Sequence, residues 1–333
     1  MGLLLGILAA LFGAGAVTLF GTRQGSPRWL RAEASGLSVL AGVLLAVGVT
    51  MLIGQAMNLV SILTVIAAVV GLLAAALLAA RVHLVWRLGA QFVVLTAALW
   101  ALYWRGDLYA VPAAVAVLCG VLMVNVVDFA VRAAERSQTK LACPILFLVG
   151  AGYLGWVAWR LPNPGLLMFV AFAAATMVPL FDRASLRVGP GRVLGPVLGA
   201  LAWACGFYAW LGNASVPMVL APVLIVGVDV LWTLVRRLAT ASGRAALSPA
   251  GSWWHRLDAL ALPGDDLVAQ RLIAGFGITR GTGYAVGATV LAAAVGILGW
   301  YSGLGTALAS APLVLLATVW LLAPLALRRL GLV

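Results

Sequence analysis

The basic residues of this chain are sorted by loop. Of its 21 lysines and arginines, all but Arg105 and Arg160 fall into alternate connections between apolar stretches long enough to cross a bilayer. An inserted protein keeps Lys and Arg on the cytoplasmic side, so this alternation sets both the number of crossings and their direction. A hydrocarbon core about 30 Å thick takes roughly 17–25 helical residues. The sequence predicts spans over 3–20, 37–53, 59–80, 88–104, 108–130, 141–159, 166–181, 193–211, 216–235, 283–300 and 305–327. The expected fold class is all-α: a polytopic membrane helix bundle of about eleven transmembrane helices, one domain over 1–333. Its N-terminus lies outside and its C-terminal Arg328–Arg329 in the cytoplasm.

Composition agrees, because 64% hydrophobic and 9% charged residues leave too little polar surface for a water-soluble globule of 333 residues. The formal charge of +12 would point to nucleic acid in a soluble chain. Here it sits beside the membrane, where it meets anionic headgroups and phosphate-bearing ligands, and no nucleic-acid partner is expected. Cys119, Cys143 and Cys205 stand in apolar stretches without paired spacing and read as buried small hydrophobes. The first span lacks a basic leader and is followed by Arg23, Arg28 and Arg31, the pattern of an anchor with its N-terminus outside. Trp100, Trp104, Trp156, Trp159, Trp210 and Trp300 fall near span ends, as interfacial rings do. One Lys beside 20 Arg, with heavy Ala, Leu, Val and Gly use, fits a GC-rich bacterial source and hence the bacterial inner membrane.

The outer loops are short and almost uncharged, so any chemistry faces the cytoplasm. The longest connection, 236–282, mixes an Ala/Gly/Ser/Pro section with apolar-basic stretches around Trp253–Trp254 and from Leu267 to Phe276, and is expected to form short helices on the membrane surface. Asp229 lies toward the inner end of the ninth span. A carboxylate in lipid is costly and is a functional candidate for that reason, with helix capping or pairing to Arg236 or Arg237 as the structural alternative. Asn125 and Asp128 share a helix face near the inner end of the fifth span. His255 stands between aromatic anchors in the long loop. No H-E-x-x-H, P-loop or G-x-S-x-G is present, and motifs alone assign no enzyme class.

In order along the chain stand a basic loop after the first span, Gln91 opening a later one, Asn125-Val-Val-Asp128-Phe129, and Gly189-Pro190-Gly191-Arg192. Then come Val228-Asp229 running on to Arg236-Arg237, and finally Trp254-His255. Taken together this series resembles the polyprenyl-phosphate N-acetylhexosamine-1-phosphate transferases, the bacterial superfamily that includes phospho-MurNAc-pentapeptide transferase. The strongest piece is similar to the family's P-x-x-D-x-x-x-x-x-x-R-R segment with its H-x-H-H loop. The resemblance implies a cytoplasm-facing site that joins a sugar-1-phosphate from a UDP-sugar to undecaprenyl phosphate, with Mg²⁺ on the pyrophosphate.

The chain departs from that pattern where the family's acids stand. Ala79, Ala80 and Arg81 occupy the place of its Asp-Asp pair, Val131 and Ala134 replace acids of its N-x-x-N-F-x-D-G-x-D-G motif, and Asp128 takes the second Asn. Pro190 stands at the metal-binding Asp of G-D-x-G-S, and Ser252 and Trp254 at two histidines of H-x-H-H. Arg81, Arg132 and Arg192 lie at or beside the lost acids, which makes the implied cavity basic and suited to phosphate. The reading is a catalytically degenerate relative. It binds a lipid- or nucleotide-linked phosphate through Asn125, Arg81, Arg132, Arg192, Arg236 and Arg237, or supports a cell-envelope glycan enzyme. Polyprenyl phosphate, a UDP-sugar, membrane lipids, and a second copy or partner enzyme are its expected partners, and no cofactor is expected. Two alternatives stay open: an active transferase using Mg²⁺ with Asp128, Asp182, Asp229 and His255 rearranged, and a transporter or lipid flippase.

Overall fold

A computed structural model describes residues 84–103, 110–136, 195–196, 199, 203, 216–245, 266–301 and 306–329. The spans expected over 3–20, 37–53, 59–80, 141–159 and 166–181, and the candidates Arg81, Arg192 and His255, lie outside the described residues. The described residues are helical, with no strand among them: α1 (Leu84–Tyr103), α2 (Ala110–Arg136), α3 (Val216–Ala245), α4 (Val268–Phe276), α5 (Ile278–Tyr301) and α6 (Thr306–Arg329). Within α2 the stretch Ala114–Ala133, and within α6 the stretch Leu308–Leu327, are long and apolar enough to cross a membrane. Several helices run past the spans expected from hydropathy at the arginine-bearing end. Arg, Ala and Leu favour a helix whatever surrounds them, so the helix need not stop where the apolar run does.

The chain forms two compact units. The first includes Trp86–Asp128 and part of 151–213, and the second includes Phe129–Gly150 and Ala214–Val333. In the first, Leu95 of α1 packs with Ala116, Val117 and Val124 of α2 and with Trp203, whose indole N–H donates to the Ala116 carbonyl at 2.8 Å. Gly195, Gly199 and Trp203 recur every four residues and so share a helix face. Gly199 faces the α2 backbone so closely that a Cβ there would stand 2.6 Å from Val124 Cα. Small residues let helices approach to this degree. The opposite stripe of α2, Val115, Leu118, Cys119 and Leu122, is exposed, so Cys119 is not the buried hydrophobe expected.

In the second unit α5 and α6 form an antiparallel pair joined at residues 302–305, and both pack on α3. The short α4 lies against α5 and α6. Gly277, at φ 82°, ends α4 and turns the chain into α5, a backbone state that favours glycine. A Cβ on Gly281 would meet the Ile273 backbone at 2.4 Å, so the two helices close tightly on that turn. Hydroxyls inside these apolar helices bond back to the preceding turn, as Thr289 does to Ala285 at 3.0 Å and Thr318 to Val314 at 2.8 Å. A polar residue then needs no water.

Candidate functional site

The first unit holds a polar cluster between α1 and α2. Arg87 and Gln91 are one turn apart on α1, and Asn125 and Asp128 share a face of α2, so two polar stripes meet. Arg87 Nη2 donates to Asn125 Oδ1 at 3.2 Å, and Asn125 Nδ2 donates to Gln91 Oε1 at 2.6 Å and to the Val121 carbonyl at 2.7 Å. Asp128 is buried and pairs with Arg87 at 3.7 Å. Gly195 closes over it: a Cβ there would lie 2.8 Å from Asp128 Oδ1 and 2.6 Å from its Cα. A carboxylate and a guanidinium taken out of water offset each other's desolvation only while both stay in place.

The second unit is organised by the N-terminus of α4. The first backbone N–H groups of a helix have no acceptor inside it, and here each of three finds a side chain. Leu267 donates to Gln270 Oε1 at 3.1 Å, Val268 to Asp229 Oδ1 at 2.7 Å, and Ala269 to Asp229 Oδ2 at 3.0 Å. Asp229 is buried, and both of its oxygens are spent on the positive end of α4, where the helix dipole favours an anion. It therefore caps a helix, but one 40 residues on, and it does not pair with Arg236 or Arg237. The indole N–H of Trp320 is buried beside this carboxylate outside hydrogen-bonding geometry, and Arg271 adds its attraction. Gln270 Nε2 donates to the Ala133 carbonyl at 2.9 Å, which ties α4 to the C-terminal end of α2.

Arg236 and Arg237 turn to Asp266 instead. Arg236 Nη2 reaches its Oδ2 and its carbonyl, each at 3.2 Å. Arg237 Nε donates to Oδ2 at 2.7 Å and Nη2 to Oδ1, a two-pronged contact. The Arg237 guanidinium also lies over the Phe129 ring, 5.2 Å from its centroid. Partial burial alone would raise the pKa of Asp266, but the two guanidiniums outweigh it and hold the carboxyl below the usual carboxylate range.

The sequence-expected residues thus fall into two described groups: Asn125 and Asp128 in the first unit, Asp229, Arg236 and Arg237 in the second. Arg132 is half-buried in the C-terminal part of α2. Sequence reasoning passed over Arg87, Asp266, Gln270 and Trp320. For Asp266 and Gln270 a signal existed, since Pro263-Gly264-Asp265-Asp266 followed by an apolar run with a Gln at its third helical position is a helix-start pattern. Among the described residues no group of three His, Cys, Asp or Glu is placed to hold a metal ion. Comparison with protein-family models found no match, and comparison with curated proteins found none either.

Proposed function

We propose that this chain is a multi-pass protein of the bacterial inner membrane, with about eleven spans, its N-terminus outside and its C-terminus in the cytoplasm. In this reading it is a divergent relative of the polyprenyl-phosphate sugar-1-phosphate transferases that binds a lipid- or nucleotide-linked phosphate at the inner face without transferring it. The observation that carries the second part is how the described aspartates are used. Asp128 is taken by Arg87, Asp229 by the α4 N-terminus and Asp266 by Arg236 and Arg237. Phosphoryl transfer needs carboxylate oxygens to hold Mg²⁺ against the substrate phosphates. Carboxylates already neutralised by guanidinium or backbone N–H groups of their own chain are poor holders of a metal.

The membrane part is supported by what the helices leave uncovered. On α6, Leu308, Val314, Leu315, Val319, Leu322 and Leu325 are each more than half exposed. A stripe of that size is unfavourable in water and ordinary against lipid tails. A guanidinium has five N–H donors, and the contact of Arg236 with Asp266 runs through Nη2. A phosphate approaching from the cytoplasm meets that guanidinium at the rim.

Two measurements test the reading. Purified protein given UDP-N-acetylglucosamine, undecaprenyl phosphate and Mg²⁺ is expected to release no UMP; metal-dependent release would show an active transferase. Undecaprenyl phosphate is expected to bind saturably and to bind at least tenfold more weakly to the Arg236→Gln/Arg237→Gln variant. Equal binding by the variant would remove the assigned phosphate contact.

A further inference from the structure

We propose that the second unit carries a lipid site separate from Arg236 and Arg237: a groove between α4, α5 and α6 that seats one acyl chain of an anionic phospholipid, with the headgroup held at its arginine-bearing end. The groove has a volume of about 570 Å³, within the range of about 300–1,000 Å³ usual for ligand pockets, and its lining is almost wholly apolar. Its walls are Leu272 and Phe276 of α4, Leu291 of α5, and Leu316, Val319 and Trp320 of α6. Its bed is made of small residues, Gly287 and Ala288 on α5 and Ala323 and Ala326 on α6, which open a channel between two helices. A Cβ added at Gly287 would meet nothing within 4 Å, so the space above it is open.

One end of this channel is charged. Arg280, Tyr284, Gly287 and Leu291 follow one another at helical spacing down one face of α5, and Arg280 is exposed. On α6, exposed Arg329 stands three residues beyond Ala326, at the groove's last turn. Because α5 and α6 are antiparallel and joined at 302–305, the start of α5 and the end of α6 lie at the same end of the pair. Tyr284, half exposed and edge-on to Phe276 with ring centroids 5.3 Å apart, sits one turn inside that mouth, the depth an amphipathic ring takes at a headgroup. An apolar trough with an exposed arginine on each of its two long helices at the same end complements a hydrocarbon tail joined to a phosphate. In the proposed topology that end faces the cytoplasmic leaflet, where anionic lipids attract basic side chains.

The inference rests on the membrane reading and not on phosphate binding at Arg236 and Arg237. The test uses the full chain purified in mild detergent, with retained lipid read by native mass spectrometry and exchange read in nanodiscs of phosphatidylglycerol or phosphatidylethanolamine. One phosphatidylglycerol per chain is expected to survive purification. Gly287→Phe plugs the groove in open space and should abolish retention, while unchanged thermal midpoint and helicity show that the fold is kept. Arg280→Gln/Arg329→Gln should keep a lipid but lose its preference for phosphatidylglycerol by about thirtyfold. Retention undiminished in Gly287→Phe, undiminished preference in the double variant, or a polyprenyl phosphate in place of the phospholipid would each overturn the proposal. Carbonate extraction of the same membranes scores insertion independently, so a failed groove is distinguishable from a failed membrane reading.

Discussion

The two units treat a buried aspartate in opposite ways. In the first, Asp128 is balanced by a cation on a neighbouring helix, and an Asn–Gln–Arg network surrounds the pair. In the second, the two oxygens of Asp229 take the N–H groups that open α4, with Arg271 adding its attraction. A side-chain pair fixes two helices relative to each other and fails badly if one member goes. A carboxylate on a helix end fixes a whole short element, and its loss frees that element. The same residue type in the same apolar setting is thus a strut in one place and a hinge pin in the other.

The sharpest way to break this comparison is at Asp128. Asp128→Leu takes from the Arg87 guanidinium, whose side chain is only 13% exposed, its buried carboxylate and leaves it the neutral Asn125 contact, and should cost about 3–5 kcal/mol of stability, read as a lowered thermal midpoint in detergent. Adding Arg87→Leu should recover most of that loss, because an apolar pair of similar volume is often neutral in such a place. If the double variant is no better than the single one, the pair is not what the first unit spends its buried charge on, and the Asn125 network carries the packing instead.

At Asp229 the amide is the informative replacement. Asp229→Asn keeps one acceptor but sets an NH₂ against either the Val268 or the Ala269 N–H, an uncompensated donor that costs about 2 kcal/mol. The loss should appear locally, as faster hydrogen exchange in 268–276 before the helices of the hairpin exchange. Uniform destabilisation, with α4 protected as before, would mean that Asp229 braces α3 and does not hold α4.

Much of this was legible before any coordinates. Long apolar stretches sorted by basic loops marked α2 and α6, and the three-residue spacing put Asn125 and Asp128 on one face. The cost of a carboxylate in lipid singled out Asp229. What stayed hidden was who the partner would be. Asp229 sits about two turns from Arg236 and Arg237, so local capping or pairing was the structural alternative to a functional role, yet its partners lie 39 and 40 residues away. Periodicity reports which face is polar, and only the tertiary fold says what meets it. Arg87 reads as one more inner-loop cation, and nothing in its neighbours marks it as half of a buried pair.

Gly195 tests the packing side of the same contrast. A methyl there would stand 2.6 Å from the Asp128 Cα and 2.8 Å from its Oδ1, against backbone that cannot swing aside. Gly195→Ala should therefore cost about 1–3 kcal/mol, the range for overfilling a tight interior. It should also fall short of additivity with Asp128→Leu, since both disturb one contact. Strict additivity of the two thermal shifts would separate the glycine from the ion pair.

The smallest effect belongs to Asp266, the most accessible of the three carboxylates, and it carries a pH signature. Arg237 and Arg236 hold its folded pKa below the ordinary 3.8. A group depressed in this way contributes stability that is fully present above the unfolded value and is lost as pH falls through the lower, folded one. Wild type should exceed Asp266→Asn by no more than about 1 kcal/mol at neutral pH, since partly exposed ion pairs are screened. That gap should hold down to about pH 4 and close below it as the carboxylate takes up its proton. A gap that instead vanishes between pH 7 and about pH 5 would point to a group titrating near neutrality. The clamp of α3 on the chain entering α4 would then have to be assigned to a residue other than Asp266.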